Sequence, residues 1–151
     1  MNVVQPSPME INGLPLHPLV VHAAVIFGPI AALTALAFLV PRWRVKLRWP
    51  MVALALVATA SIVAAYLTGN NFLQHKPELR TSPQVQTHED RARQLLWVTI
   101  AFGVIALAAG WFATRTGALR VVLDVLLGVA AIATLVLVFL TGEAGARAVW
   151  G

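Results

Sequence analysis

Four long apolar stretches, separated by short polar segments, account for most of the chain. Crossing the hydrocarbon core of a bilayer takes roughly 20 apolar residues in a helix, and each stretch is about that long. The pattern therefore predicts four transmembrane helices in one membrane domain that covers residues 1–151. The predicted spans are about 19–40, 51–68, 95–113 and 119–140.

The composition supports a membrane protein. The chain is 59% hydrophobic and only 11% charged, whereas a soluble domain carries about 25% charged residues. The net charge is +5, but the basic residues lie beside the predicted spans. Membrane topology explains basic residues in such places. We therefore expect membrane lipid, and no nucleic acid, among the partners.

The basic residues also predict an orientation. The connector between the first two spans, residues 41–50, holds four basic residues and no acidic one. Cytoplasmic loops are enriched in Lys and Arg, so we assign this connector to the cytoplasm. Arg115 and Arg120 follow the third span and fall on the same side. Both termini and a long loop over residues 69–94 then lie outside a prokaryotic cell membrane, and all four histidines face outward.

A short repeat relates the two halves of the chain. Phe27-Gly28 in the first span corresponds to Phe102-Gly103 in the third. Thr68-Gly69 closes the second span, and Thr141-Gly142 closes the fourth. The repeat predicts an all-α four-helix bundle made of two helical hairpins in parallel orientation. On this alignment His22 meets no second histidine, so we expect any histidine site to be unduplicated.

Two histidines lie where the first apolar stretch begins, in the run LPLHPLVVHAAVI. His17 precedes Pro18 and is expected just before the helix, while His22 lies about one turn inside it. On one continuous helix they would be about 140° apart and could not share a face. Imidazole in a membrane span suggests a ligand for haem iron or a divalent metal. The alternative is a pair of interfacial histidines bonded to backbone or water.

The other two histidines lie in the long polar loop. Thr87 and Asp90 flank His88 as a helix N-cap would, so the third helix is predicted to begin at His88. His88 and Arg91 then share a face that would point over the outer mouth of the bundle. The alternative for His88 is a solvated first turn. His75 is expected in mid-loop and is a secondary candidate.

Two pairs of opposite charges have helical i, i+4 spacing. Arg120 and Asp124 are predicted to form a shallow ion pair at the interface, with no partner in another span. The alternative is a proton or ion step. Glu143, beyond a helix predicted to end at Gly142, is a candidate partner that orients a ligand histidine.

Several classes of protein are excluded or disfavoured. The absence of cysteine removes disulfides, iron–sulfur clusters, thiolate metal sites and covalently attached haem. The sequence also lacks a phosphate-binding glycine loop, a Ser-His-Asp order and an HExxH motif. Hydrolases and ion pumps are therefore disfavoured, and an electron carrier or accessory protein is favoured over a stand-alone enzyme.

The runs LPLHPLVVHAAVIFGP, HEDRARQLLW and TGEAGARAVWG resemble the prokaryotic membrane family called domain of unknown function 2231, over nearly the whole chain. The resemblance implies four spans with histidines near one membrane face, at His17, His22 and His88. Some members look fused to Rieske-type iron–sulfur domains, which implies electron transfer. The family often has Phe-Pro after the second histidine, whereas two alanines follow His22 here and the proline comes at Pro29.

The leading functional hypothesis is a small b-type cytochrome of the membrane. One haem b would lie between helices at the outer face, held by His22 and His88, with His17 as the substitute ligand. Arg91 or Arg93 would pair with the haem propionates. A haem near one face cannot carry electrons across a core about 30 Å thick. Electron exchange with a redox partner protein or a quinone is therefore expected.

Two alternatives remain open at the level of sequence. His17, His22 and His88 would serve equally as ligands for a divalent metal such as Zn or Cu. The chain would also suit a structural subunit with no cofactor, because its small size and Ala/Gly-rich faces permit a homo-oligomer or a place in a larger membrane complex.

Overall fold

The structure is a computed structural model and describes residues 8–151. Four long helices make up most of it, and all four are long and apolar enough to cross a membrane. The predicted all-α membrane bundle is therefore confirmed. The helices are α1 (Leu16–Phe38), α2 (Arg44–His75), α3 (Pro83–Trp111) and α4 (Ala118–Trp150), with a 3-10 helix over Pro77–Thr81.

The helices are packed in cyclic order, α1 beside α2, α2 beside α3, α3 beside α4 and α4 beside α1. Helices α1 and α3 are therefore diagonal to each other, as are α2 and α4. Short connectors make neighbouring helices antiparallel. At one end of the bundle α1 and α3 therefore begin and α2 and α4 end, and at the other end the order is reversed. We call residues 8–22, 68–95 and 138–151 the histidine end, and residues 38–52 and 106–127 the arginine end.

Small side chains fill the interior, and large apolar ones face outward. The fully buried side chains include Phe38 and Phe102, but most of the buried hydrophobic residues are alanines, such as Ala31 and Ala106. Alanine and glycine at helix interfaces allow the close approach on which helix packing in lipid depends. Phe139, in contrast, is 70% exposed. This arrangement suits a bundle whose surroundings are lipid rather than water.

The glycines of the sequence repeat occupy equivalent contacts. A Cβ added at Gly28 of α1 would lie 3.0 Å from Val138 of α4, and one added at Gly103 of α3 would lie 2.6 Å from Thr59 of α2. At each glycine, a side chain from the opposite hairpin thus packs into the space that a Cβ would occupy. The repeat therefore marks two places where the hairpins pack closely against each other.

Two predicted helix ends are wrong. Helix α2 continues past Thr68-Gly69 to His75, and α4 continues past Gly142 to Trp150. Neither glycine has the positive φ of a helix-ending residue. Gly69 is retained within the helix because a side chain packs against it, as described below.

The predicted long loop over residues 69–94 is mostly helical. Helix α3 begins at Pro83, which suits the first helical turn because it has no N–H to leave unpaired. The predicted N-cap at Thr87 is wrong, since its hydroxyl donates to the Pro83 carbonyl at 3.0 Å within the helix. His88 therefore lies in the second turn of α3 and not at its start.

A two-stranded hairpin leads into α1. Strands β1 (Glu10–Ile11) and β2 (Leu14–Pro15) pair in antiparallel fashion through a two-residue turn. Asn12 and Gly13 both have positive φ, 52° and 76°, which is the requirement of a type I′ hairpin turn and the reason that Asn-Gly is favoured there. The hairpin sits at the histidine end, where the Met9 amide donates to the Asn71 side chain at 3.1 Å.

Asp124 has a partner on another helix, contrary to the sequence prediction. Its carboxylate accepts a hydrogen bond from Arg44 on the diagonal helix α2, while Arg120 lies 3.7 Å away at the expected i, i+4 position. Arg44 is only 6% exposed, and its guanidinium lies over the ring of Phe38 at 4.4 Å. The prediction failed because 80 residues separate Arg44 from Asp124.

Candidate functional site

Two of the four histidines meet at the histidine end. His17 lies at the start of α1 and His88 in the second turn of α3. Both side chains are half-buried, and their rings are close enough to interact electrostatically. Because α1 and α3 are diagonal, the two histidines belong to different hairpins at the same end of the bundle.

His17 is held by the last turns of α2. Its Nδ1 lies 3.2 Å from the Thr68 hydroxyl oxygen. That hydroxyl donates its own proton to the carbonyl of Ala64 at 2.8 Å or of Ala65 at 3.1 Å. When the Thr68 proton goes to one of these carbonyls, the Thr68 oxygen accepts from His17, and Nδ1 of the imidazole then carries the proton. A Cβ added at Gly69 would lie 2.8 Å from the ring, which explains the glycine there.

His88 has an equivalent environment on α4. Its Nδ1 lies 3.1 Å from the carbonyl oxygen of Thr141, which can only accept. A Cβ added at Gly145 would lie 3.1 Å from the His88 ring. In each hairpin, one histidine is thus held through Nδ1, and its ring packs against a glycine.

Each hairpin therefore contributes one histidine in an equivalent position, a correspondence that the Phe-Gly alignment did not show. His17 precedes Gly28 by 11 residues and His88 precedes Gly103 by 15. The difference of four residues is about one helical turn, which moves a side chain along the helix while keeping it near the same face. An alignment without gaps misses this correspondence.

The Thr141 carbonyl assigns the tautomer of His88, and His17 takes the same form when Thr68 donates to its own helix. A neutral imidazole protonated at Nδ1 carries its lone pair on Nε2. Histidines that bind metals usually have this form, with the second ring nitrogen donating to a carbonyl, carboxylate or water.

His22 does not join this pair. Helix α1 already begins at Leu16, so His17 and His22 lie on one continuous helix about 140° apart. His22 is exposed on the outer surface of α1, where Nδ1 donates to the Pro18 carbonyl at 2.6 Å. The structure brings His88 together with His17 and not with His22.

The other predicted residues lie around the rim of this end. His75 ends α2, and its Nδ1 donates to the Asn71 carbonyl at 2.8 Å. Arg91 is half-buried and lines a groove of about 230 Å³ between α3 and α4, whereas Arg93 is exposed. Glu143 pairs with Arg147 at 2.7 Å. The partner role predicted for Glu143 falls instead to the Thr141 carbonyl.

The donor set of the site consists of two imidazoles. In residues 8–151 no group of three or more His, Cys, Asp or Glu side chains is placed to hold a metal ion. Sequence reasoning missed the supporting residues, although Thr68-Gly69 and Thr141-Gly142 were visible as a repeat. The repeated Thr-Gly pairs lie where the two histidines are held. From the sequence alone, the same pairs predict two helix ends.

Comparison with known proteins identifies the family. A family model described as "Predicted membrane protein (DUF2231)" matches residues 13–151, and the chain belongs to this family. No curated protein and no solved structure matches the chain.

Proposed function

We propose that this member of the DUF2231 family is a small b-type cytochrome that binds haem between His17 and His88. The observation that carries the proposal is the pair of imidazoles on diagonal helices, each donating through Nδ1 to its own hairpin. The proposal retains His88 from the sequence-based pair and replaces His22 by His17.

The donor set favours haem over a bare metal ion. A zinc site takes three or four protein ligands, and within the described part of the chain only two imidazoles converge here. A porphyrin brings four nitrogens of its own, so two imidazoles complete the coordination of its iron. Two neutral nitrogen donors therefore fit haem better than Zn or Cu.

The surrounding residues have defined roles in this proposal. Thr68 and the Thr141 carbonyl fix the ring orientation and make each imidazole a stronger donor. Arg91, half-buried beside His88 on α3, and the more exposed Arg93 are placed to pair with carboxylate groups of the ligand. When bound, bis-histidine haem supplies one-electron transfer with both axial positions filled.

The position of the site sets the range of electron transfer. Both histidines lie at one end of helices that cross a core about 30 Å thick. We infer that electrons are exchanged at this face with a redox partner protein or a quinone. The basic connectors of the arginine end favour the cytoplasmic side, so the histidine end would face outward from a prokaryotic cell membrane.

The test is the visible spectrum of the protein purified in detergent after expression with added haem precursor. We expect a Soret band and sharp α and β bands on reduction. His17→Ala and His88→Ala should each abolish the low-spin spectrum, whereas His22→Ala, on the outer surface of the same helix as His17, should leave it unchanged.

Three results would contradict the proposal. Absence of haem from the wild-type protein, with zinc or copper found by elemental analysis, would favour a metal-binding protein instead. A low-spin spectrum that survives His17→Ala but not His22→Ala would show that the ligand pair is wrong. A protein without either haem or metal would favour an accessory subunit.

A further inference from the structure

The charges of the molecule are divided unequally between its two ends. The histidine end holds five basic and five acidic residues, so its formal charges cancel. The arginine end holds six basic residues and one acidic residue, Asp124, and thus carries the entire net charge of +5. The six basic residues are Arg42, Arg44, Lys46, Arg48, Arg115 and Arg120.

Half of these basic residues are used inside the protein. Arg44 and Arg120 lie against Asp124. Arg48 donates to the Gly110 carbonyl at 2.7 Å and so satisfies the end of α3. These contacts account for three of the six basic residues, and the other three take no part in them.

The remaining cations are Arg42, Lys46 and Arg115. All three are exposed, and none forms an ion pair with an acidic side chain of residues 8–151. Arg42 and Lys46 flank the start of α2, and Arg115 lies in the connector between α3 and α4. Two separate connectors therefore present unpaired positive charge at the same end.

An exposed tryptophan lies beside one of these charges. The guanidinium of Arg42 lies 5.0 Å from the ring centroid of Trp43. Tryptophan is enriched at the boundary between hydrocarbon and water. We therefore expect this cation to lie at the depth of the lipid headgroups.

We propose that the arginine end is a binding surface for anionic phospholipid headgroups, formed by Arg42, Lys46 and Arg115. The surface attracts acidic lipids from a mixed bilayer and holds them around the two connectors. This proposal rests on the charge distribution and is independent of haem at the opposite end.

The test uses the full-length protein in vesicles of phosphatidylcholine with a minor fraction of phosphatidylglycerol. Spin-labelled versions of the two lipids, compared by electron paramagnetic resonance, measure the preference of the protein surface for the acidic one. A basic residue near an anionic surface contributes about 1 kcal/mol, which is up to roughly a fivefold preference for each charge. The preference should fall as salt is added.

The variant R42Q/K46Q/R115Q should bring the preference close to one. A matched control, K76Q/R80Q/R93Q, removes the same number of charges from the neutral histidine end and should retain most of it. The charge-preserving variant R42K/R115K should also retain it. If the triple variant does not fold, R115Q alone, in an exposed connector, should still lower the preference.

Three outcomes would overturn the proposal. The wild-type protein could show equal affinity for the two lipids, which would leave an acidic protein segment as the partner of this end. The two triple variants could lose the preference equally, which would indicate a general effect of net charge. A preference that salt does not reduce would exclude an electrostatic origin.

Discussion

The two ends of the bundle each join a diagonal pair of helices, but with opposite chemistry. At the arginine end, Arg44 of α2 and Asp124 of α4 carry opposite charges and satisfy each other directly. At the histidine end, His17 of α1 and His88 of α3 are two bases that satisfy their Nδ1 atoms separately, each on its own hairpin. The first contact joins two helices directly through opposite charges, whereas each histidine is held within its own hairpin.

The burial of the two pairs supports this distinction. The Arg44 side chain is 7% exposed and lies on the ring of Phe38, so its charge depends on Asp124 for compensation. His17 and His88 are neutral when protonated only at Nδ1 and need no counter-charge. We infer that the arginine end stabilises the fold, whereas the function proposed above assigns the ligand to the histidine end.

Removing Asp124 should have the largest effect on stability. Asp124→Asn leaves the buried Arg44 guanidinium without a counter-charge, and breaking a buried pair in this way costs about 3–5 kcal/mol. The free energy of unfolding, measured by denaturant titration in detergent micelles, should fall by that amount.

Arg120→Gln is the matched control, because Arg120 lies 3.7 Å from the same carboxylate but is 32% exposed. Exposed pairs contribute about 0–1 kcal/mol, so this variant should be close to wild type. Equal losses in the two variants would show that Arg44 is not the partner on which the stabilising effect of Asp124 depends.

The second test separates two glycines that are equivalent in the sequence repeat. Gly69→Ala places a Cβ 2.8 Å from the His17 ring, whereas nothing lies within 4 Å of a Cβ at Gly142. Overpacking costs about 1–3 kcal/mol, so Gly69→Ala should lower the midpoint of thermal unfolding and disturb the low-spin haem spectrum.

Gly142→Ala should instead stabilise α4 by about 0.5–1 kcal/mol, since glycine inside a helix is unfavourable relative to alanine. Similar behaviour of the two variants would mean that His17 does not depend on Gly69. The expected difference between the two hairpins at the histidine end would then be wrong.

The sequence was sufficient to predict the four spans and the bundle, because both depend on the length and composition of each segment alone. It also singled out His17 and His88. It could not show which histidines lie on the same side of the bundle, because the face of His17 depends on whether α1 begins before or after Pro18, which is a difference of a few residues.

The long-range partners were beyond sequence reasoning for a different reason. Arg44 appeared only as one of several basic residues in a connector, and its contact with Asp124 depends on which helices are diagonal. Gly69 looked like a helix end because glycine serves both there and under a packed ring. Only the contact with His17 distinguishes the two uses.

The smallest expected effect tests the hydrogen bond that orients His17. Thr68→Val keeps the shape of the side chain but removes the oxygen that accepts from Nδ1, which should cost about 0.5–1.5 kcal/mol. With one ring no longer held, the reduction potential of the bound haem should shift and the low-spin bands should broaden. Thr68→Ser, which retains the hydroxyl, should restore both.

Thr141→Val is the matched control on the other hairpin. His88 donates to the backbone carbonyl of Thr141, which this substitution retains. The Thr141 hydroxyl is buried without a hydrogen-bond partner in the described structure. Loss of the Thr141 hydroxyl should leave the low-spin spectrum and the reduction potential unchanged. The free energy of unfolding should be equal to that of the wild type or slightly higher. Since the two threonines occupy matching positions in the repeat, a difference between Thr68→Val and Thr141→Val can arise only from how each hairpin holds its histidine. Equal effects would mean that the side chains, and not the hydrogen bonds to Nδ1, position the two rings.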